Sequence, residues 1–177
     1  MEAMAADVFM LADYRLPWWI LAPVMRAPGE PLPVVHHTGV LVSGTDIVEA
    51  RLLVLRHNFL QTYPPSRWKR IWVARRKGLS AEQRQVIARA AMDLVGQIYG
   101  IPRLLAHGID DIIFGHRRII RKPTLGLHIC SSLVAWAYEQ AGFDFGVPSW
   151  AADPYDIWDY IMENPATRTQ WDIIARY

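Results

Sequence analysis

The chain has 177 residues, of which 52% are apolar and 20% are charged, and its formal net charge is +2. This composition excludes an intrinsically disordered chain, and the near-neutral charge gives no indication of a nucleic-acid-binding protein. We therefore predict one globular domain over residues 1–177, long enough to bury a core of its own.

Two further features bear on where the chain works. Residues Met1 to Asp7 lack the basic segment that opens a signal peptide. The nearest candidate for a membrane segment, Leu16 to Met25, is interrupted by prolines and falls short of the ~20 apolar residues that span a bilayer. The expectation is a protein without an integral membrane segment that is cytoplasmic as synthesised. Its single cysteine excludes an internal disulfide.

The first half of the chain predicts strands joined by turns. The two runs on either side of Ser43-Gly44-Thr45 are typical of the arms of one hairpin. Residues 14–25 are rich in aromatic side chains and predict a short helix or a loop, and the prolines of residues 26–33 predict a loop. The strand-like runs, in chain order, are 7–11, 34–42, 46–54, 52–55 and 70–74.

The second half predicts helices. Ser80, followed three residues later by Gln83, resembles a capping box, and the apolar spacing predicts a helix from there to about Tyr99. The apolar residues of 101–124 suggest a further helix packed on the core, and the basic residues of 117–122 suggest a solvated face. A helix from Ser132 to Gly142, a short helix over 155–162 and a strand over 171–175 complete the chain.

The only cysteine, Cys130, lies at or just before the first turn of the helix that ends at Gly142. Unpaired amide groups and the helix dipole stabilise negative charge there, so a thiol at this position gains nucleophilicity. The same amides suit the oxyanion that forms when a thiolate attacks a carbonyl. The alternative reading is a buried structural cysteine.

A thiol nucleophile needs a base, and the base needs a group that holds its ring. His37 is the candidate base, and Glu49 in the second hairpin arm is the candidate orienting carboxylate, directly or diagonally across the strands. His36 is the competing base, because adjacent strand residues face opposite ways. The pairing alone does not choose between the two histidines.

These motifs resemble the permuted members of the NlpC/P60 papain-like superfamily, the YiiX-like and lecithin:retinol acyltransferase-like group. The strand motif of that group is His-x-Gly-hydrophobic, its third residue lies in the following strand, and its helix motif is Cys-Ser-x-Leu/Val-Val ending in Gly. The matching residues here are His37 to Leu41, Val48 to Ala50, and Cys130 to Val134 with Gly142. Weaker matches are Asp7 to Phe9, Gln97 to Gly100 and Pro154 to Ile157.

The resemblance implies an α+β, circularly permuted papain-like fold, in which an antiparallel sheet or partial barrel packs against helices. It favours His37 over His36 and supports Cys130 as nucleophile. The mechanism expected is cysteine amide hydrolysis through a Cys130–His37–Glu49 triad and an acyl-enzyme, without a cofactor. The Cys130 amide is the expected oxyanion donor, and Tyr14 is a candidate for the second.

Three other functions compete with this one. A lipid acyltransferase or thioesterase would use the apolar residues near Trp18 and Trp19 for an ester or amide substrate. A non-catalytic papain-like module, for instance of a phage particle, would keep the fold alone. A metal site is disfavoured, because the sequence offers no zinc-type spacing beyond His36 and His37, whose side chains diverge.

The expected substrate class decides which partners are needed. The resemblance favours a cell-wall peptide for bacterial members of the group. Without a signal peptide, a chain that cuts the cell wall depends on a phage lysis or tail apparatus, or on a contact-dependent secretion system, to reach it. No nucleic-acid partner is expected.

Overall fold

The structure is a computed structural model, and it describes residues 3–12, 35–51, 53–64, 70–98 and 129–177. The strands are β1 (Val8–Leu11), β2 (His37–Leu41), β3 (Asp46–Ala50), β4 (Val54–Asn58), β5 (Ile71–Arg76) and β6 (Trp171–Arg176). The α-helices are α1 (Phe59–Thr62), α2 (Ala81–Asp93), α3 (Cys130–Glu139), α4 (Pro154–Trp158) and α5 (Pro165–Arg168). A 3-10 turn over Ser149–Ala151 precedes α4, and a π-turn over Asp159–Glu163 follows it.

The six strands form one sheet in the order β4-β3-β2-β1-β5-β6, with every neighbouring pair antiparallel. The sheet is open, with β4 and β6 as its edges. The α+β class with an antiparallel sheet, predicted from the sequence, is confirmed. The single-domain boundary at residues 1–177 remains a prediction.

Side chains of the central strands alternate between two apolar clusters, as the pleat requires. Val8, Met10 and Val40 belong to the cluster that contains side chains of α2 and α3, including Ile87 and Leu133. Their neighbours Phe9 and Leu41 belong to the second cluster, on the other face, together with Leu11, Ile47, Phe59 and Tyr63. Both faces of the sheet are therefore buried near β2.

The predicted hairpin forms about the turn at residues 42–45, with Leu41 opposite Ile47. The prediction of one strand over 46–54 is wrong. The chain bends after Ala50, where the Arg51 amide donates to the Leu53 carbonyl at 3.0 Å, and it returns as β4, which pairs with β3. The bend places Arg51 and His57 next to Glu49, a proximity that one long strand would not have produced.

Helix α2 begins as predicted, with both hydrogen bonds of the Ser80–Gln83 capping box present. Its predicted end near Tyr99 is wrong, because the helix stops at Asp93. Gly96 has a positive φ of 90°, and its amide donates to the Val54 carbonyl at 2.9 Å. A tertiary bond to the sheet thus replaces the next turn of helix, an outcome that local periodicity cannot predict.

None of the helices in the described ranges is long and apolar enough to cross a membrane. The predicted helix over 101–124, the aromatic segment 14–25 and the loop over 26–33 lie outside the described residues.

Candidate active site

Helix α3 begins at Cys130, so the thiol lies in the first turn, as predicted. Ile129 precedes the helix in an extended conformation, and its amide donates to the Ser132 hydroxyl at 2.8 Å. The Ser131 hydroxyl donates to the Ala152 carbonyl at 2.8 Å, which ties the start of the helix to the segment before α4. The two serines of the motif therefore fix the helix end that carries the thiol.

His37 is the first residue of β2, and its imidazole hydrogen-bonds the Cys130 thiol. The imidazole packs edge-on against Phe9, with ring centroids 5.8 Å apart. The backbone of His36 instead continues the sheet, donating its amide to the Leu11 carbonyl at 3.1 Å. Of the two histidines that the sequence offered, the structure brings His37 to the sulfur.

Gly39 supplies the space that this arrangement needs. A Cβ at this position would lie 2.3 Å from Phe9 Cε1, 2.8 Å from the Val48 carbonyl oxygen and 3.1 Å from Glu49 Cβ. The glycine of the His-x-Gly motif thus lets the Phe9 ring and Glu49 pack against the strand.

Glu49 is fully buried, with 0% exposure, and its two carboxylate oxygens have different partners. Oε2 is 2.6 Å from His37 Nε2 and accepts a hydrogen bond from the Tyr63 hydroxyl at 2.5 Å. Oε1 lies 2.7 Å from Arg51 Nε and 2.7 Å from His57 Nε2. These Oε1 contacts are close ion pairs that lack the alignment of a hydrogen bond.

The surroundings of Glu49 keep it ionised. Burial alone would raise the pKa of the carboxyl, but the charge of His37, the hydrogen bonds from His37 and Tyr63 and the close contact with His57 hold it well below its usual range. A carboxylate only accepts hydrogen bonds, so His37 Nε2 carries a proton and donates it. This arrangement leaves Nδ1 of the imidazole for the thiol.

The pKa shifts of His37 and Cys130 favour transfer of the thiol proton to the imidazole, which gives a charged pair. Burial lowers the pKa of His37, but the charge of Glu49 and the hydrogen bonds to Cys130 and Glu49 outweigh it and raise the value to about 10. Burial likewise raises the pKa of the Cys130 thiol, but His37 and the amides of Thr38 and Ser131 outweigh it and lower the value. A thiolate–imidazolium pair beside a carboxylate is the favoured state.

Access to this pair is narrow. Cys130 is only 4% exposed, and the His37 side chain is 13% exposed. The sulfur is therefore buried, and the imidazole is the more exposed member of the pair.

The structure places the three predicted side chains, Cys130, His37 and Glu49, next to one another, and their catalytic roles stay a prediction. The sequence analysis missed three partners of the carboxylate: Tyr63, Arg51 and His57. Tyr63 follows the short helix α1, on the far side of the sheet from α3, and no motif marks it. The missed signal was the bend after Ala50, since a return strand places His57 near Ile47 and Glu49. Tyr14, the candidate second oxyanion donor, lies outside the described residues.

The weaker motifs have structural roles in the described residues. Asp153 and Asp156 form a capping box at the start of α4, with Pro154 at its first position. Asp7 is buried and makes two 2.8 Å bonds with Arg75 across β1 and β5. Both motifs stabilise segments that support the sheet or the beginning of α3.

The chain thus has an α+β fold with an open antiparallel sheet and a buried thiol–imidazole–carboxylate arrangement. It is similar to the crystal structure of the metalloprotein YiiX from Escherichia coli O157:H7, with a TM-score of 0.60 and 16% sequence identity, over 100% of this chain and 99% of that one. At that identity the similarity concerns the fold. No protein-family model matches the chain, and no curated protein matches it.

Proposed function

We propose that the protein is a cysteine hydrolase that cleaves an amide bond, with a cell-wall peptide as substrate, and that it is a single-domain permuted NlpC/P60-like protein. The observation that carries the proposal is the position of Cys130 at the first turn of α3 beside His37, whose Nε2 lies 2.6 Å from Glu49 Oε2. The raised pKa of His37 and the lowered pKa of Cys130 support it, since burial alone would favour the neutral thiol and the neutral imidazole. The YiiX-like fold and the order of the motifs support it.

The proposed reaction begins with attack of the Cys130 thiolate on the carbonyl carbon, which moves the carbonyl electron pair onto oxygen. The Cys130 amide, at the unpaired start of α3, is the donor proposed for that oxyanion. Collapse of the tetrahedral intermediate breaks the carbon–nitrogen bond, and the imidazolium of His37 gives its Nδ1 proton to the leaving amine. A thioester remains on Cys130.

Hydrolysis of the thioester regenerates the starting pair. The neutral His37 takes a proton from water, and the hydroxide attacks the thioester carbonyl. The second tetrahedral intermediate expels the thiolate, so the product leaves as a carboxylic acid and the imidazolium faces the sulfur again. Glu49 stays ionised throughout, because its role is to orient His37 and to stabilise its charge.

The test is mass spectrometry of digests of peptidoglycan fragments, and of lipid amides and esters, with wild type and Cys130→Ala. We expect wild type to release peptide products and the variant to release none. His37→Ala should also be inactive, while the neighbouring His36→Ala is the matched control and should retain activity. Hydrolysis by Cys130→Ala at the wild-type rate would refute the mechanism.

A lipid substrate is the second candidate, and one observation favours it. Leu53, Leu55 and Ile98 are 41%, 40% and 65% exposed, and Leu53 is bridged to Ile98 two residues from Arg51. Exposed aliphatic side chains beside the carboxylate network suit an acyl chain better than a peptide. Cleavage of lipid esters or amides together with vesicle binding, and no peptide release, would favour this candidate.

Two alternatives remain, a non-catalytic module and a metal centre. A non-catalytic module is favoured by the burial of Cys130, and it predicts no product from any substrate and no thiolate at neutral pH. A metal centre, suggested by the name of the YiiX structure, does not fit the described residues. They contain no group of three His, Cys, Asp or Glu side chains suited to a metal, and Nε2 of both His37 and His57 faces Glu49.

The proposed route to a cell-wall substrate is unchanged by the structure. We propose delivery by a phage apparatus or a secretion system from the cytoplasm. Fractionation of producing cells, with antibody detection outside the cytoplasm only when that apparatus is present, would test it.

A further inference from the structure

Tyr63 is the least expected contact of the site. It is fully buried, and its ring packs between Phe9 and Phe59, with centroid distances of 5.3 and 5.8 Å. These contacts fix the ring from the second apolar cluster, on the face of the sheet opposite α3. A phenylalanine would satisfy this packing, so the hydroxyl group needs a separate explanation.

The hydroxyl of Tyr63 is part of a directional chain. Arg51 Nη2 donates to the hydroxyl oxygen at 2.7 Å, and the hydroxyl donates to Glu49 Oε2 at 2.5 Å. Since the guanidinium has only donors, its bond leaves the tyrosine proton to point at the carboxylate. Burial and the charge of Glu49 raise the pKa of Tyr63 far above its ordinary value, so the proton stays on the hydroxyl.

Of the four polar side chains in the described residues that contact Glu49, only His37 and Tyr63 have hydrogen-bond geometry, and both bond to Oε2. The contacts at Oε1 are close but poorly aligned, so they attract the carboxylate without fixing its rotation. If the Tyr63 bond were absent, the carboxylate would be free to turn towards Arg51 and His57. That rotation would draw Oε2 away from His37.

We infer that Tyr63 is a positioning residue that keeps Glu49 Oε2 in contact with His37. This contact in turn stabilises the Cys130 thiolate. Arg51 fixes the direction of the Tyr63 hydroxyl. The inference rests on the proposed function for its catalytic meaning. A purely electrostatic role makes the opposite prediction, because loss of one donor leaves Oε2 a stronger acceptor for the imidazolium.

The test is the ultraviolet absorbance of the thiolate across a pH titration, which needs no substrate and no access to the sulfur. Cys130 is the only cysteine, so subtraction of a Cys130→Ala spectrum assigns the signal. In Tyr63→Phe we expect half-formation of the thiolate to shift upward by about one pH unit, equivalent to a roughly tenfold loss of thiolate. We expect kcat to fall by about tenfold to a hundredfold, with KM unchanged.

Tyr138→Phe is the matched control. Tyr138 is equally buried, donates its hydroxyl to the Ala6 carbonyl at 2.6 Å and lies on α3 with Cys130. Its loss should weaken the fold without shifting the thiolate titration. Arg51→Lys, at a side chain that is 45% exposed, is a second variant that is expected to fold and to shift the titration in the same direction by a smaller amount.

An unchanged or downward shift in Tyr63→Phe, or equal shifts in Tyr63→Phe and Tyr138→Phe, would overturn the positioning role. The outcome is independent of the proposed reaction. A thiolate that forms in wild type and moves in Tyr63→Phe supports the positioning role even if no substrate is hydrolysed, and in that case only the proposed function fails.

Discussion

Among the residues that the structure describes, two carboxylates, Asp7 and Glu49, are completely buried, and each lies beside an arginine, but their other partners differ. Asp7 receives both Nε and Nη2 of Arg75 at 2.8 Å and the Met4 amide at 2.8 Å. Glu49 receives aligned bonds from His37 and Tyr63, while Arg51 reaches it only as an ion pair. Asp7 therefore pairs with a guanidinium that keeps its proton, whereas Glu49 contacts an imidazole that can lose and regain one.

Asp7 and Glu49 are equally buried, and they differ in the side chain that each one contacts. A guanidinium keeps its charge at every pH at which the protein folds, so Arg75 cannot give up a proton. An imidazole can lose its proton, and in this protein it faces a thiol as well. Substitution of Asp7 should therefore lower stability alone, whereas substitution of Glu49 should lower stability and also reduce the fraction of Cys130 that is thiolate.

The largest effect is expected from Glu49→Gln. An amide nitrogen would place a donor against either His37 and Tyr63 or Arg51 and His57, and the His37 imidazolium would lose its counter-charge. We expect a loss of about 3 to 5 kcal/mol in the free energy of unfolding, together with loss of the thiolate at neutral pH. Urea denaturation and thiolate absorbance measure the two effects, and a variant that keeps its thiolate would contradict the role of Glu49.

Asp7→Asn should be the next largest and should affect only stability. We expect about 3 kcal/mol from loss of the charged pair with Arg75. The pH titration of the Cys130 thiolate should match wild type, because neither Asp7 nor Arg75 contacts the thiol–imidazole pair. A shifted titration in a folded Asp7→Asn protein would show that the two carboxylates are coupled.

Gly39→Ala should lower the free energy of unfolding by a smaller amount than either carboxylate substitution. The added Cβ would meet the Phe9 ring, the Val48 carbonyl and Glu49, so the strands must separate or the ring must move. Overpacking of this kind costs about 1 to 3 kcal/mol. Alanine at Gly44 is the matched control, because Gly44 likewise has no positive φ and its added Cβ would meet only the Ala3 carbonyl oxygen, at 3.2 Å. Equal losses in both variants would contradict the packing role.

The smallest effect is expected from a change of pH alone, without a substitution. The test compares the rate of Cys130 alkylation with the rate of substrate hydrolysis across pH. Alkylation of Cys130 by a reagent small enough to reach the buried sulfur needs the thiolate but not the His37 proton, so it should persist below the ordinary thiol pKa of about 8.5. Hydrolysis also needs the His37 proton for the leaving amine, so its rate should fall above pH 10, where the raised pKa of His37 is reached. If both rates fall together above pH 10, His37 does not act as the general acid.

The sequence predicted the fold class and the proximity of Cys130, His37 and Glu49 because each has a local signature. The capping box at Ser80 and the helix beginning near Cys130 depend on neighbours within a few residues. The early end of α2 and the partners of Glu49 depend on contacts between distant segments. The bend after Ala50 moved His57 and Arg51 to the carboxylate, and neither periodicity nor composition encodes that bend.

The hairpin between β2 and β3 sets one further condition. Leu41 faces Ile47 across it, and continuing that register brings Glu49 alongside Gly39, on the same side as His37. Because successive strand residues point to opposite sides, a single inserted or deleted residue in the turn at 42–45 would present Val48 or Ala50 to the imidazole instead. Relatives that keep this chemistry should therefore vary the length of that turn in steps of two, or compensate an odd change with a bulge in β3.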